Sequence, residues 1–145
     1  MKEIKNVSII GMGALGVMYG SHLAHHMGFD HVTYIMDEKR YEKYKGSTVT
    51  CNGEKLSFTC VPASQAVPAD LVIVAVKSTG LTEALDTMKK CIGPDTVILS
   101  VMNGISSEEI IGERYGAEHM IYAVAQGMDA MKFGSELTYS KMGVL

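Results

Sequence analysis

The stretch Val7-Ser8-Ile9-Ile10 followed by Gly11-Met12-Gly13-Ala14-Leu15-Gly16 constrains this chain more than any other ten residues. The apolar run reads as a buried strand, and a helical pattern begins directly after the glycines. In that setting each glycine has its own duty. Gly11 permits a tight turn, Gly13 lets the backbone come close to a pyrophosphate, and Gly16 has no side chain to hold the helix away from the sheet. The N–H groups at the helix start then face an anion. Residues 11–16 are therefore read as a dinucleotide-binding loop.

Such a loop works as part of a β-α-β unit, so a second strand should follow and end in a residue able to meet a ribose. Gly16, Gly20, Leu23, Ala24 and Met27 recur at helical spacing, Gly28 ends the helix, and residues 31–36 read as strand. Asp37 closes that strand. It lies 21 residues beyond Gly16, close to the ~20-residue interval for an acid that hydrogen-bonds the ribose 2′-hydroxyl. Lys39 and Arg40 come next. They are either two cations that meet a 2′-phosphate when the loop turns back, or solvated charges leading into a helix.

Further along, the pattern of buried strand and amphipathic helix that builds a parallel sheet continues. Residues 71–76 are an unbroken apolar run, as expected for a strand covered on both faces. Leu81, Leu85, Met88 and Ile92 then give a helical stripe ended by Gly93-Pro94, and residues 96–102 read as the next strand. Ser106 and Glu109 form a capping box for a helix with Ile110 and Ile111 on its buried side. Residues 120–125 and 137–144 are expected to be strands. Between the second strand and residue 71, residues 48–51 and 55–60 read as a hairpin. Its turn is Asn52-Gly53, which suits positive φ at both central positions and sets Cys51 opposite Glu54. No internal repeat or linker is visible.

A chain of 145 residues is one domain's worth and long enough for a real core. With 47% hydrophobic residues, 20% charged residues and a net charge of −3, it offers no electrostatic case for nucleic acid or an anionic membrane. The expected ligand is small. No apolar stretch approaches a membrane span, and the first strand begins too early for a signal peptide, which points to the cytoplasm. Cys51, Cys60 and Cys91 form no CxxC pair and their odd number argues for reduced thiols. His22 and His26 are four apart, but no third ligand joins them, so no metal is expected.

Two polar residues fall where an open α/β sheet binds its ligands. Lys77 follows the strand 71–76 immediately and Asn103 follows the strand 96–102 immediately, so both are carried to the carboxyl edge beside residues 11–16. A Lys ammonium there is a cationic donor to a substrate oxygen or to a cofactor. An Asn side chain both donates and accepts.

Gly11-Met12-Gly13-Ala14-Leu15-Gly16, Ala75-Val76-Lys77-Ser78 and Met102-Asn103-Gly104-Ile105, in this order and spacing, resemble the nucleotide-binding half of the ketopantoate reductase (2-dehydropantoate 2-reductase) family. The likeness covers nearly the whole chain. It implies an α/β fold with a doubly wound, mostly parallel Rossmann sheet over residues 1–145. It also implies reduction of 2-dehydropantoate to pantoate, a step toward pantothenate and coenzyme A. NADP(H) is the favoured cofactor and NAD(H) the alternative. Residues 11–16 would hold the pyrophosphate, Lys77 and Asn103 would lie next to nicotinamide and substrate, and Ala130 would offer backbone to the cofactor. Where the family commonly has an arginine just after the second strand, this chain has Asp37, with Lys39 and Arg40 displaced. The family's C-terminal helical domain, which supplies a general-acid lysine and most substrate contacts, has no counterpart in these residues. The face that would meet it favours self-association into a homodimer. Two other readings compete: a nucleotide-sensing regulatory domain, and a dehydrogenase of the same superfamily acting on another 2-keto or hydroxy acid.

Overall fold

The computed structural model describes residues 3–102, 106–121, 131–133 and 135–139. Along the chain run β1 (Val7–Ile10), α1 (Ala14–Met27), β2 (Val32–Met36), α2 (Glu38–Tyr44), β3 (Val49–Cys51), β4 (Glu54–Leu56) and β5 (Thr59–Pro62). Then follow β6 (Leu71–Val74), α3 (Leu81–Thr87), β7 (Val97–Ser100), α4 (Ser106–Tyr115), β8 (Met120–Ile121), β9 (Met131–Phe133) and β10 (Glu136–Thr138).

Six strands form one sheet in the order β5-β2-β1-β6-β7-β8, with every neighbouring pair parallel. Numbered by their appearance within that sheet, this is 3-2-1-4-5-6, the order of the doubly wound dinucleotide-binding fold. Successive strand residues point to opposite faces, and both faces are covered. Val7, Ile9, Val32, Tyr34 and Ile73 pack with Val17, Met18 and Ala24 of α1 on one side. Ile10, Ile35, Val72, Val74 and Ile98 pack with Leu81 and Leu85 of α3 and Ile111 of α4 on the other. Full burial of a side chain such as Ile98 or Ile9 contributes about 1.5–3 kcal/mol relative to exposure. The apolar runs in the sequence are continuous because neither face of these strands meets water.

A second, four-stranded sheet has the order β4-β3-β10-β9. Val49, Cys51, Leu56 and Leu137 from it join the α1 layer, so α1 lies between the two sheets. The hairpin turn is as expected, with Asn52 at φ 50° and Gly53 at φ 83°, and Cys51 stands opposite Glu54.

Three expectations need correction, and one strand finds an unexpected neighbour. The strand expected over 55–60 is two strands: β4 ends at Leu56, and β5 begins at Thr59 in the other sheet, parallel to β2. Alternation alone could not show that the chain changes sheets. The strand expected from 137 is β10, paired in parallel with β3. Residues 140–144 of that expectation, and 122–125 of the one beginning at 120, lie outside the described residues. His31 belongs to a short turn that precedes β2. Ile110 is 42% exposed while Ile111 is fully buried, because adjacent helical positions are turned by about 100° and only one can face the sheet.

Candidate functional site

The chain leaves β1 toward β2 and leaves β6 toward β7, in opposite directions across the sheet, so the connections part above the carboxyl ends of β1 and β6. The two loops that start there are tied together by the Ala75 N–H donating to the Ile10 carbonyl at 2.8 Å. Gly11 holds φ +110°, and a Cβ on it would stand 2.5 Å from the Ala75 carbonyl oxygen. A Cβ on Gly16 would stand 2.1 Å from the Gly11 carbonyl oxygen. The fold itself requires glycine at both positions.

Gly13 is different. A Cβ there would meet nothing nearer than the Ala75 carbonyl oxygen at 4.0 Å. Packing leaves room for a side chain, yet none is present. Gly13 is also the N-cap of α1 with no side chain to cap it, and the first turn carries no acidic residue. The Val17 N–H is bonded to the Gly13 carbonyl at 3.0 Å. The N–H groups of Ala14, Leu15 and Gly16 precede that bond, at the positive end of the helix dipole. An anion that needs close backbone approach, such as a pyrophosphate, fits these features.

A cleft of about 930 Å³ opens over these loops. Gly11, Met12 and Gly13 form one wall, Asp37 and Arg40 stand at the end of β2, and Ala75, Val76 and Lys77 follow β6. Thr79, Gly80, Ala84 and Thr87 continue that side, Cys60 comes from β5 beside β2, and Ser47, Thr48 and Ser135 lie toward the second sheet. Lys77 is exposed, and its carbonyl accepts from the Gly80 N–H at 2.8 Å, which shapes the turn into α3. The Asp37 carboxylate caps α2 by accepting from the Arg40 N–H at 2.8 Å. Burial pushes the Cys60 thiol up, which disfavours the thiolate. Among the described residues no group of three His, Cys, Asp or Glu could hold a metal. His22 and His26 are exposed, with ring centroids 4.4 Å apart.

Of the residues singled out in the sequence, Gly11, Met12, Gly13, Asp37, Arg40 and Lys77 thus meet in one cleft. Ala14, Leu15 and Gly16 begin α1 just behind it. Lys39 is exposed and is not among the residues lining it. Asn103 and Ala130 lie outside the described residues. Sequence reasoning missed Thr79 and Gly80, although they follow β6 on the same edge as Lys77. Ser47, Thr48 and Ser135 carry no local signal, since they reach the cleft through the second sheet.

The family model described as ketopantoate reductase PanE/ApbA matches residues 7–131. The chain belongs to this family. A 2-dehydropantoate 2-reductase of Lactococcus lactis subsp. lactis is 30% identical over 124 residues, which is 80% of this chain and 39% of that protein. The oxidoreductase YkpB of Bacillus subtilis, itself uncharacterized, is 26% identical over 117 residues, 78% of this chain and 38% of that protein. The crystal structure of 2-dehydropantoate 2-reductase from Geobacter metallireducens matches with a TM-score of 0.76 at 21% identity, covering 95% of this chain and 47% of that one. This likeness shows the shared fold. The chain spans about two fifths of the length of the curated relatives it matches. Membership in the ketopantoate reductase family and a Rossmann-type sheet together imply a nicotinamide cofactor. Among the described residues no helix is long and apolar enough to cross a membrane.

Proposed function

We propose that residues 1–145 form the dinucleotide-binding domain of a reductase that converts a small 2-keto acid, 2-dehydropantoate, to its 2-hydroxy product, pantoate, a step toward pantothenate and coenzyme A in the cytoplasm. The reading is carried by Gly13, a glycine that packing does not require, at the parting of β1 and β6 in the same cleft as Lys77.

When bound, the nicotinamide dinucleotide supplies a hydride to the keto carbon. The backbone of residues 11–16 holds the pyrophosphate. Reduction places negative charge on the substrate oxygen, and the Lys77 ammonium is the cationic donor on this side of the cleft that stabilises it. Asn103, after β7 in the sequence, donates its amide N–H to a hydroxyl or carbonyl oxygen and accepts at its amide oxygen from a hydroxyl. Ala130 offers backbone to the cofactor. A positioned proton donor is worth about 10²–10⁴ in rate, and the family resemblance assigns that donor to a helical domain, which also makes most substrate contacts. The face of this chain that would meet that domain is where two copies would associate as a dimer. The resemblance favours NADPH as reductant, with Lys39 and Arg40 as the nearest cations to a 2′-phosphate.

Isothermal titration calorimetry of NADPH and NADH into the folded 145-residue chain tests the reading, together with reduction of a panel of 2-keto acids by these residues joined to a helical half. Binding of at least one dinucleotide and preferred turnover of 2-dehydropantoate are expected. A folded chain that binds neither dinucleotide refutes it.

A further inference from the structure

We infer that Asp37 and Glu83 clasp Arg40 and turn the ribose end of the cleft against a 2′-phosphate, so that this site selects the dinucleotide with a free 2′-hydroxyl, NAD(H). The inference rests on the cleft being a dinucleotide site. It differs from the NADPH preference that resemblance alone suggests.

Three contacts carry it. Oδ1 of Asp37 accepts from the backbone N–H of Arg40 at 2.8 Å. Oδ2 of the same carboxylate lies 3.6 Å from Nη1 of the Arg40 guanidinium. From the other side, Oε2 of Glu83 on α3 lies 3.7 Å from Nη2. Both terminal nitrogens of the guanidinium therefore face a carboxylate, one at the end of β2 and one beyond β6. Asp37 and Arg40 are both part of the cleft wall.

The neighbouring charges do not reverse the balance. Glu38 is turned to Ser64, whose N–H donates to its Oε1 at 3.2 Å, and Lys39 is not among the residues lining the cleft. Lys77, also in the lining, follows β6, while the Asp37–Arg40–Glu83 cluster itself carries one net negative charge, two carboxylates against one guanidinium. A 2′-phosphate adds roughly two more at neutral pH. It would have to draw Arg40 from both carboxylates while standing near Asp37, a like charge. The backbone bond holds the Asp37 carboxylate at the root of the Arg40 side chain, so the carboxylate stays beside whatever that residue meets. A ribose 2′-hydroxyl needs only an acceptor, and the Asp37 carboxylate is one. Each ion pair is exposed and weak by itself. Selection comes from the sum of charge at the site and not from the tightness of either pair.

The test is calorimetric titration of NADH and NADPH into the 145-residue chain at low salt, with circular dichroism to verify folding. NADH is expected to bind about tenfold more tightly, a difference the titration resolves readily. Glu83→Gln should narrow the ratio about threefold, chiefly by strengthening NADPH binding. Asp37→Asn keeps the helix cap, since Asn caps as well as Asp, and should narrow it further. Raising the salt on the unaltered chain should narrow it as well, because screening relieves repulsion. Tighter binding of NADPH overturns the inference and leaves the dinucleotide site standing. A ratio unmoved by both substitutions and by salt also overturns it. A folded chain that binds neither dinucleotide overturns both readings together.

Discussion

The Tyr34 hydroxyl donates to the Gly16 carbonyl oxygen at 2.7 Å, in the buried layer between β2 and α1. A Cβ on Gly20 would stand 1.8 Å from the same hydroxyl, so the ring fills space that glycine leaves open on α1. Burial pushes the phenol far above its ordinary pKa, with Cys60 and Cys51 adding to the effect, and the donor stays protonated. This bond links the second strand to the first turn of the helix that the glycine loop feeds.

Tyr34→Phe keeps the ring and removes the donor, while the Gly16 carbonyl retains its place in the helical ladder. The expected loss is about 0.5–1.5 kcal/mol. Tyr34→Ala empties the site and should cost about 3–5 kcal/mol. Urea denaturation of the two variants checks this; equal losses would show that the hydroxyl, not the ring, dominates.

The glycines of the loop should separate by mutation. Gly16→Ala forces a Cβ to 2.1 Å from the Gly11 carbonyl oxygen, backbone against side chain with no flexible partner to yield, so the variant should unfold or lose most of its stability. Gly13→Ala meets nothing closer than 4.0 Å and should melt within a few degrees of the parent. Its dinucleotide affinity should nevertheless fall about tenfold or more, because the methyl enters the space of the pyrophosphate. Thermal melts paired with calorimetry decide it. A Gly13→Ala chain that binds as tightly as the parent would remove the ligand-based reason for that glycine.

His22 and His25 of α1 should titrate in a fixed order. His25 is raised by its bond to the Ser21 carbonyl at 2.7 Å and by Glu54 on β4 at 3.1 Å. His22 is lowered by desolvation and then by the nearby charges of His26 and His25. Proton NMR should therefore show His22 losing its proton at lower pH than His25. Because the folded pKa of His25 lies above its unfolded value of about 6.5, its link to the hairpin stabilises fully below that pH. The contribution fades as pH rises through the raised value. Glu54→Gln should bring the His25 midpoint down; no change would mean that the ion pair is absent in solution.

Lys77 is exposed and lines the cleft, and the proposed function sets the substrate oxygen beside it. In a protein joining these residues to a helical half, Lys77→Ala should lower kcat about 10²-fold, as for loss of one electrostatic donor. The 145-residue chain alone should hold the dinucleotide but turn over 2-dehydropantoate slowly, since the substrate is neither positioned nor shielded from water. Efficient turnover by this chain, purified free of host reductase, would show that its own residues complete the site.

The buried strands β1, β6 and β7, the glycine loop between β1 and α1, and the Asn52-Gly53 turn were legible in the sequence. Each is a property of one segment: an apolar run, a glycine where φ is positive or a helix comes close, a turn whose two residues both accept positive φ. Lys77 was placed at the correct edge for the same reason, because a residue following a parallel strand is delivered to its carboxyl end. Tertiary structure alone decided that the chain changes sheets between Leu56 and Thr59, and that β10 lies beside β3. It alone set Ile110 toward solvent and Glu83 against Arg40. Those outcomes depend on segments far apart in the chain closing onto one another, and neither hydrophobic period nor turn chemistry records which distant segment a given face or charge will meet.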